Sequence, residues 1–315
     1  MELDQIHALA QEAWDALTAE KLDRAREIGE TLLAEQIEVG YRVMAGVASS
    51  EDDLLKAEEW LQKGLELYPE IWELHLQLAT VWSEQELYDK ALERLEKARE
   101  LPHADQEWIS MNIAVTQARK QDFDAALNTL QEIESEAFIS EAFVLQLSIL
   151  DGLNQHALIL ELAGETLEVL PQATDEKSES VMAQICTYIA SAAWYEDREE
   201  GEIRHYLELA FAYERENEGA IWLLREMNPE FSDKAKGMSL LIKGTLLDEI
   251  APEGVTVMGQ YSLVADSTEE ALGMIRDFDK GWLKADSIVM LENESIEAEE
   301  EDAKGIYEVS HFMEA

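Results

Sequence analysis

Through the first two thirds of the chain, apolar residues recur at three- and four-residue steps, in stretches that come in pairs. That spacing lines them along one face of a helix, so each stretch predicts an amphipathic α-helix. The second helix of each pair carries the same small residue near its start. These residues are Ala25, Ala57, Ala91 and Ala126, which lie 32, 34 and 35 residues apart. They sit in LDRAREIGETLL, LLKAEEWLQKGLELYP, YDKALERLEKARELP and FDAALNTLQEI. A fixed period of this size predicts a solenoid, in which each helix pair buries its apolar face only by stacking on its neighbours. Pro69, Pro102, Pro171 and Pro229 each follow an amphipathic stretch and interrupt none. Proline lacks the N–H and clashes with the preceding turn, so it marks where a helix must stop.

The fullest unit runs WELHLQLATVWSEQELYDKALERLEKARELP, from Trp72 to Pro102. Ala79, Ala91 and Ala98 remove bulk where two backbones approach, and Trp82, Tyr88 and Leu95 fill the space around them. This alternation resembles the tetratricopeptide repeat family, and the resemblance extends over roughly residues 1–230. The unit from Glu38 to Pro69 keeps Met44, Ala45, Leu54, Ala57 and Leu61, and the one from Glu107 keeps Ile113, Ala114, Phe123, Ala126 and Leu130. The first unit retains Ala13, Leu22 and Ala25 and little else, and the fifth has Ile159 where the alanine is due. Residues 172–180 read as a loop. A longer pair follows at about 178–196 and 200–217, then a short helix near Ala220–Met227.

The pattern changes after a linker at 231–238. SLLIKGTLL (239–247) and VTVMGQYSLVA (255–265) are rich in β-branched and aromatic residues and read as strands about a turn with Pro252 and Gly254. Ser267 and Glu270 form a capping-box pattern ahead of a helix with Ala271, Leu272, Ile275 and Phe278 on one face, and Gly281 offers a left-handed stop. Two more strand-like segments, 286–296 and 305–313, complete a β-β-α-β-β order. The expectation is a mainly α chain: a helical repeat domain over 1–230, then a small domain over 239–315 with one helix on an antiparallel sheet.

Charge narrows the partners. The chain carries 69 acidic and 24 basic residues, a formal net charge of −45 spread along its length. Such a field repels nucleic acid and anionic membranes and favours cationic partners. Solvated glutamate-rich helix surfaces, or adaptation to a salty cytoplasm, would also produce it. No apolar run approaches the ~18 residues of a membrane span. The segment MELDQIHALAQEAWDAL has no secretory pattern, which points to the cytoplasm.

Motifs for chemistry are missing. The six histidines show no i, i+4 zinc spacing and no HExxH, and the chain has no glycine-rich phosphate loop and no GxSxG. The one cysteine, Cys186, lies in an apolar helix and reads as a buried thiol. Glu297, Glu299, Glu300, Glu301 and Asp302 could attract a hard cation, but they lack an EF-hand spacing and read as a solvated loop. An active site in the C-terminal segment would have to come from His311, Tyr307 and scattered carboxylates. The reading is therefore a non-enzyme with no cofactor and no metal.

In the family that the chain resembles, the first helices of successive units line a concave groove. The resemblance implies groove positions at Glu73, Gln77 and Thr80, then Trp108, Met111, Asn112, Val115 and Arg119, then Glu141, Val144 and Ser148. Trp108 and Met111 either anchor a docked peptide or pack against the neighbouring helix. Some members of the family clamp a peptide's terminal carboxylate with basic residues. Here only Asn112 and Arg119 suit that role, and Glu73 and Glu141 oppose it. A basic or amphipathic protein segment fits better, which makes the chain a scaffold or adaptor. The alternative is an acidic inhibitor or immunity-type protein that neutralises a basic toxin or nucleic-acid-binding enzyme. The small domain would bind a second partner, cap the solenoid or self-associate through a strand edge.

Overall fold

The computed structural model describes residues 3–313 apart from 136, 168, 169, 171, 228, 252, 253 and 299–301. Pro171, Pro252 and Glu299, Glu300 and Glu301 therefore lie outside the described residues. The described residues form a mainly helical chain that ends in a four-stranded antiparallel sheet. The chain divides into two compact units, Met1–Ile149 and Leu150–Ala315.

The first unit is a run of antiparallel helix pairs. The pairs are α1 (Leu3–Thr18) with α2 (Leu22–Ala34), α3 (Val39–Ser50) with α4 (Leu54–Leu67), α5 (Trp72–Glu84) with α6 (Tyr88–Arg99), and α7 (Gln106–Arg119) with α8 (Phe123–Leu130). Helix α9 (Ile139–Gly152) follows. Ala25, Ala57, Ala91 and Ala126 are all fully buried, as their role in close helix approach requires. The core is a chain of small clusters, each shared by neighbouring helices. One contains Ala45, Ala57, Leu61, Leu74 and Leu78, and the next contains Ala79, Ala91, Leu95, Ala98 and Ile109.

The turns inside the pairs repeat as strictly as the alanines. Glu20, Asp52, Glu86, Gln121 and Asn154 all have φ between 56° and 66°, and each stands five residues before Ala25, Ala57, Ala91, Ala126 or Ile159. The next N–H reaches back to close each first helix. Lys21 donates to the carbonyl of Ala16, Asp53 to Ala48, Leu87 to Trp82, Asp122 to Gln117 and Gln155 to Leu150, all at 2.8–2.9 Å. This is the Schellman closure, in which one left-handed residue satisfies carbonyls that the helix end leaves open. Ile159 is fully buried in the alanine position, so the turn before α10 keeps the register while the residue changes.

The second unit holds α10 (His156–Thr166), α11 (Glu176–Tyr195), α12 (Glu200–Tyr213) and α13 (Glu218–Glu226), followed by the sheet. Helix α11 starts inside the segment read as a loop, because the Asp175 side chain accepts from Ser178 N and the Ser178 hydroxyl bonds back to Asp175. The expected 200–217 helix stops at Tyr213, and Asn217 instead caps α13 by accepting from Ala220 N. Trp222 is exposed and meets Trp194 edge-on.

The strands are β1 (Lys236–Thr245), β2 (Thr256–Ala265), β3 (Val289–Ile296) and β4 (Gly305–Met313), in the order β3-β1-β2-β4 with every pair antiparallel. Helix α14 (Thr268–Phe278) covers one face through Ala271 and Ile275, against Leu240, Ile242, Tyr261 and Leu263. Two details differ from the expected motif. Ser267 accepts from Glu270 N, but the Glu270 carboxylate accepts from Asp266 N and binds Lys304. Gly281 is not left-handed, since the described glycines with positive φ are Gly254 and Gly305. The helix ends instead at Asp279, whose side chain is held by Arg215.

Candidate interaction groove

Counted back from each left-handed turn, the groove positions fall into register. Glu73, Trp108 and Glu141 hold one position in α5, α7 and α9. Gln77 and Asn112 share a second, Met111 and Val144 a third, and Thr80, Val115 and Ser148 a fourth. Side chains three and four apart on a helix project from one face, so these residues form columns up each helix and rows across them.

The structure joins several of them. Gln77 Nε2 on α5 donates to the Arg42 carbonyl on α3 at 3.1 Å. Thr80 Oγ1 lies 3.5 Å from Asn112 Oδ1 on α7, and Asn112 Nδ2 donates to the Trp108 carbonyl at 2.9 Å. A polar seam thus runs across three first helices. Trp108 stands at its end, 42% exposed, with its ring edge-on to Trp72 at 5.9 Å. Asp105 caps α7 by accepting from Trp108 N, which fixes the start of that helix.

Other positions contribute differently. Met111 is half-buried and packs on the cluster of Ala114, Ala126, Ala142 and Ile149, so it forms wall and floor. Val115 and Val144 are half-buried, while Arg119 and Ser148 are exposed at the far ends of α7 and α9. Arg42 was missed by the sequence reading. Burial lowers its guanidinium pKa against the opposing pull of Glu73 and Glu38, and it lies over the Trp14 ring at 5.4 Å. The signal was available, since Arg42 lies ten residues before the turn at Asp52, the position that Met111 and Val144 hold before theirs.

The second unit holds two further features. A buried cluster joins the α12–α13 turn to the sheet. Arg215 Nε and Nη2 bind Asp279 Oδ1 at 3.0 and 2.9 Å, and Tyr261 donates to Asp279 Oδ2. The Tyr261 hydroxyl also lies 2.7 Å from His311 Nε2. With its one proton given to Asp279, Tyr261 accepts from His311 Nε2–H, which leaves Nδ1 bare toward Glu216 Oε1 at 3.5 Å. Burial pushes His311 down to about 4 and raises both Asp279 and Tyr261. Tyr307 does not join this cluster; its hydroxyl donates to the Ala303 carbonyl and its ring lies under Arg225. Beside the cluster is a cleft of about 1110 Å³ walled by Phe211, Met274, Phe278 and Trp282. Four of its cations are engaged: Arg204 by Glu200, Arg215 by Asp279, Lys304 by Glu230, Asp266 and Glu270, and Arg225 over Tyr307.

Cys186 is buried, which pushes its thiol up to about 11, far from a reactive state. Among the described residues, no three His, Cys, Asp or Glu side chains are placed to hold a metal ion, and no helix is long and apolar enough to cross a membrane.

The sequence matches no family model and no curated protein. The fold does match solved structures. PilW, described as a widely conserved type IV pilus biogenesis factor, is 14% identical, with 71% of this chain and all of that one covered at a TM-score of 0.52. A tetratricopeptide repeat protein from Parabacteroides merdae is 12% identical, with 70% of this chain and 84% of that one covered at 0.51. A chain of the APC/C hetero-tetramer Cut9–Hcn1 is 15% identical at 0.51; the match covers 70% of this chain but only 42% of that longer one. The helical part of the chain therefore has the tetratricopeptide repeat fold.

Proposed function

We propose that the chain is a non-enzymatic, cytoplasmic scaffold that docks a basic or amphipathic protein segment along α5, α7 and α9. One observation carries the reading: Trp108 is exposed at the end of a polar seam, at the position that Glu73 and Glu141 hold in the two neighbouring first helices. An aromatic face flanked by carboxylates suits a lysine or arginine side chain, whose charge the acids attract and whose stem the ring packs. The seam's amide and hydroxyl groups suit a peptide backbone. The net charge of −45 steers such a partner toward the surface from a distance.

The acidic-inhibitor reading rests on the charge alone, and salt separates the two. Affinity capture from host lysate is washed at low and at high salt, with the intact protein and with Trp108→Ala. A docked segment survives the high-salt wash, because exposed charge pairs are screened while a packed ring is not. The Trp108→Ala protein loses that catch, since truncating a tryptophan anchor costs ~2 kcal/mol or more, roughly thirtyfold in affinity. A basic partner that is lost at high salt and indifferent to Trp108→Ala would overturn groove docking in favour of neutralisation by charge.

A further inference from the structure

The two edges of the sheet are treated differently. The β4 edge is stoppered: His311 N–H donates to Glu216, the Ile306 carbonyl accepts from Arg225 Nη1 at 3.3 Å, and Lys304 pairs with Glu230 as a bridge ahead of the strand. The β3 edge has none of this among the described residues, and all eight of its residues are exposed. Four are large and aliphatic: Val289 at 56%, Met290 at 38%, Leu291 at 47% and Ile296 at 40%. Folded proteins blunt a free edge with lysine, proline, shortness or a cover, because its open N–H and C=O groups template another strand. VMLENESI has no lysine and no proline.

The register shows what would fit there. Met290, Asn293 and Ser295 stand opposite Ile242, Leu240 and Met238, on the face that α14 covers. Glu292 and Glu294 stand opposite Leu241 and Ser239, on the other face, with Leu291 as the extra residue of a bulge. A fifth strand would therefore meet two glutamates side by side on one face, flanked by Val289 and Ile296, and Met290, Asn293 and Ser295 on the other. A second copy is a poor occupant. Antiparallel self-pairing that keeps the faces aligned sets glutamate opposite or beside glutamate, and each copy brings a net charge of −45.

We propose that β3 takes up an extended segment of a basic partner as a fifth strand, with lysine or arginine at alternate positions facing Glu292 and Glu294. Backbone bonds would supply affinity and the alternation would supply selectivity. The site is separate from the α5–α7–α9 groove and does not depend on it.

The test uses the full chain and three capped octapeptides: alternating Lys and Val, alternating Glu and Val, and the Lys–Val sequence with a central proline. Hydrogen exchange of the 289–296 amides is followed as each is titrated. The Lys–Val peptide protects these amides and the other two do not. Glu292→Lys with Glu294→Lys, two exposed changes, weakens the Lys–Val peptide by about tenfold and admits the Glu–Val peptide. Trp108→Ala leaves the protection unchanged, so failure of the groove reading and failure of this one are distinguishable. Equal protection by both charged peptides, binding of the proline peptide, or no protection by any would overturn the proposal. Protection without peptide that grows with protein concentration, alongside a dimer in light scattering, would overturn it in favour of a second copy.

Discussion

The two units are held together over different distances along the chain. In the first, four side-chain bonds between helix pairs span about one period. Tyr68 reaches the Gln36 carbonyl, Gln77 the Arg42 carbonyl, Gln85 the Leu54 carbonyl and Lys120 the Asp89 carboxylate, at separations of 31 to 35 residues. In the second, Tyr261 meets His311 across 50 residues, Arg215 meets Asp279 across 64, Arg225 meets Ile306 across 81 and Glu216 meets His311 across 95. A repeat stack distributes its stability over many similar interfaces. The sheet region concentrates part of its stability in one buried cluster, where each polar group depends on the others.

The largest expected effect tests that concentration. Asp279→Ala leaves Arg215 charged with its buried partner gone and Tyr261 without its acceptor. Breaking a buried pair from one side costs about 3–5 kcal/mol. Replacing both partners, as in Arg215→Met with Asp279→Leu, removes the stranded charge and should recover most of that loss. Urea unfolding of the single and double variants measures both. If the single variant lost no more than a surface ion pair does, ~1 kcal/mol or less, the cluster would not fasten the sheet region.

Acid gives a second, smaller effect. His311 titrates near 6.5 when unfolded and is pushed down to about 4 when folded. Below 6.5 the unfolded chain takes up a proton that the folded chain refuses, so stability falls as pH drops from about 6.5 to about 4. The full shift is worth about 3 kcal/mol. Asp279 works the other way. Its folded value is raised by burial, so protonation at lower pH relieves a cost. His311→Gln, which keeps a polar side chain toward Tyr261, should flatten the loss between pH 6.5 and 4. An unchanged slope in that variant would assign the acid sensitivity to other groups.

The same contrast explains what could be read in advance. The alanine register, the four helix pairs of the first unit and the β-β-α-β-β order were legible, because each is written within one period or one element. The buried cluster was not. Nothing near Asp279 in the sequence distinguishes it from the many other carboxylates, and its partners lie on elements far away along the chain. The open β3 edge was hidden by the Leu291 bulge, which breaks the alternation that would have separated its faces. Gly281 misled because glycine permits a left-handed stop without requiring one.

The left-handed turns are the sharpest case, because the period reveals them and residue type does not. Glycine is the usual occupant of such a position, yet Glu20, Asp52, Glu86, Gln121 and Asn154 fill it here. A side chain at positive φ costs about 1–2 kcal/mol, whereas glycine gives back roughly 0.5–1 kcal/mol in the unfolded chain. Glu86 lies in the best-formed pair and its side chain makes no bond among the described residues, so it is the cleanest site to test. Glu86→Gly should stabilise the protein by about 0.5–1 kcal/mol, a shift of a few degrees in Tm, while Glu86→Ala, which keeps the Cβ, should fall within ~0.5 kcal/mol of the parent. If the glycine variant were no more stable than the alanine variant, the turn would carry no strain. The period would then be maintained by the buried alanines alone, with the backbone closure following from them.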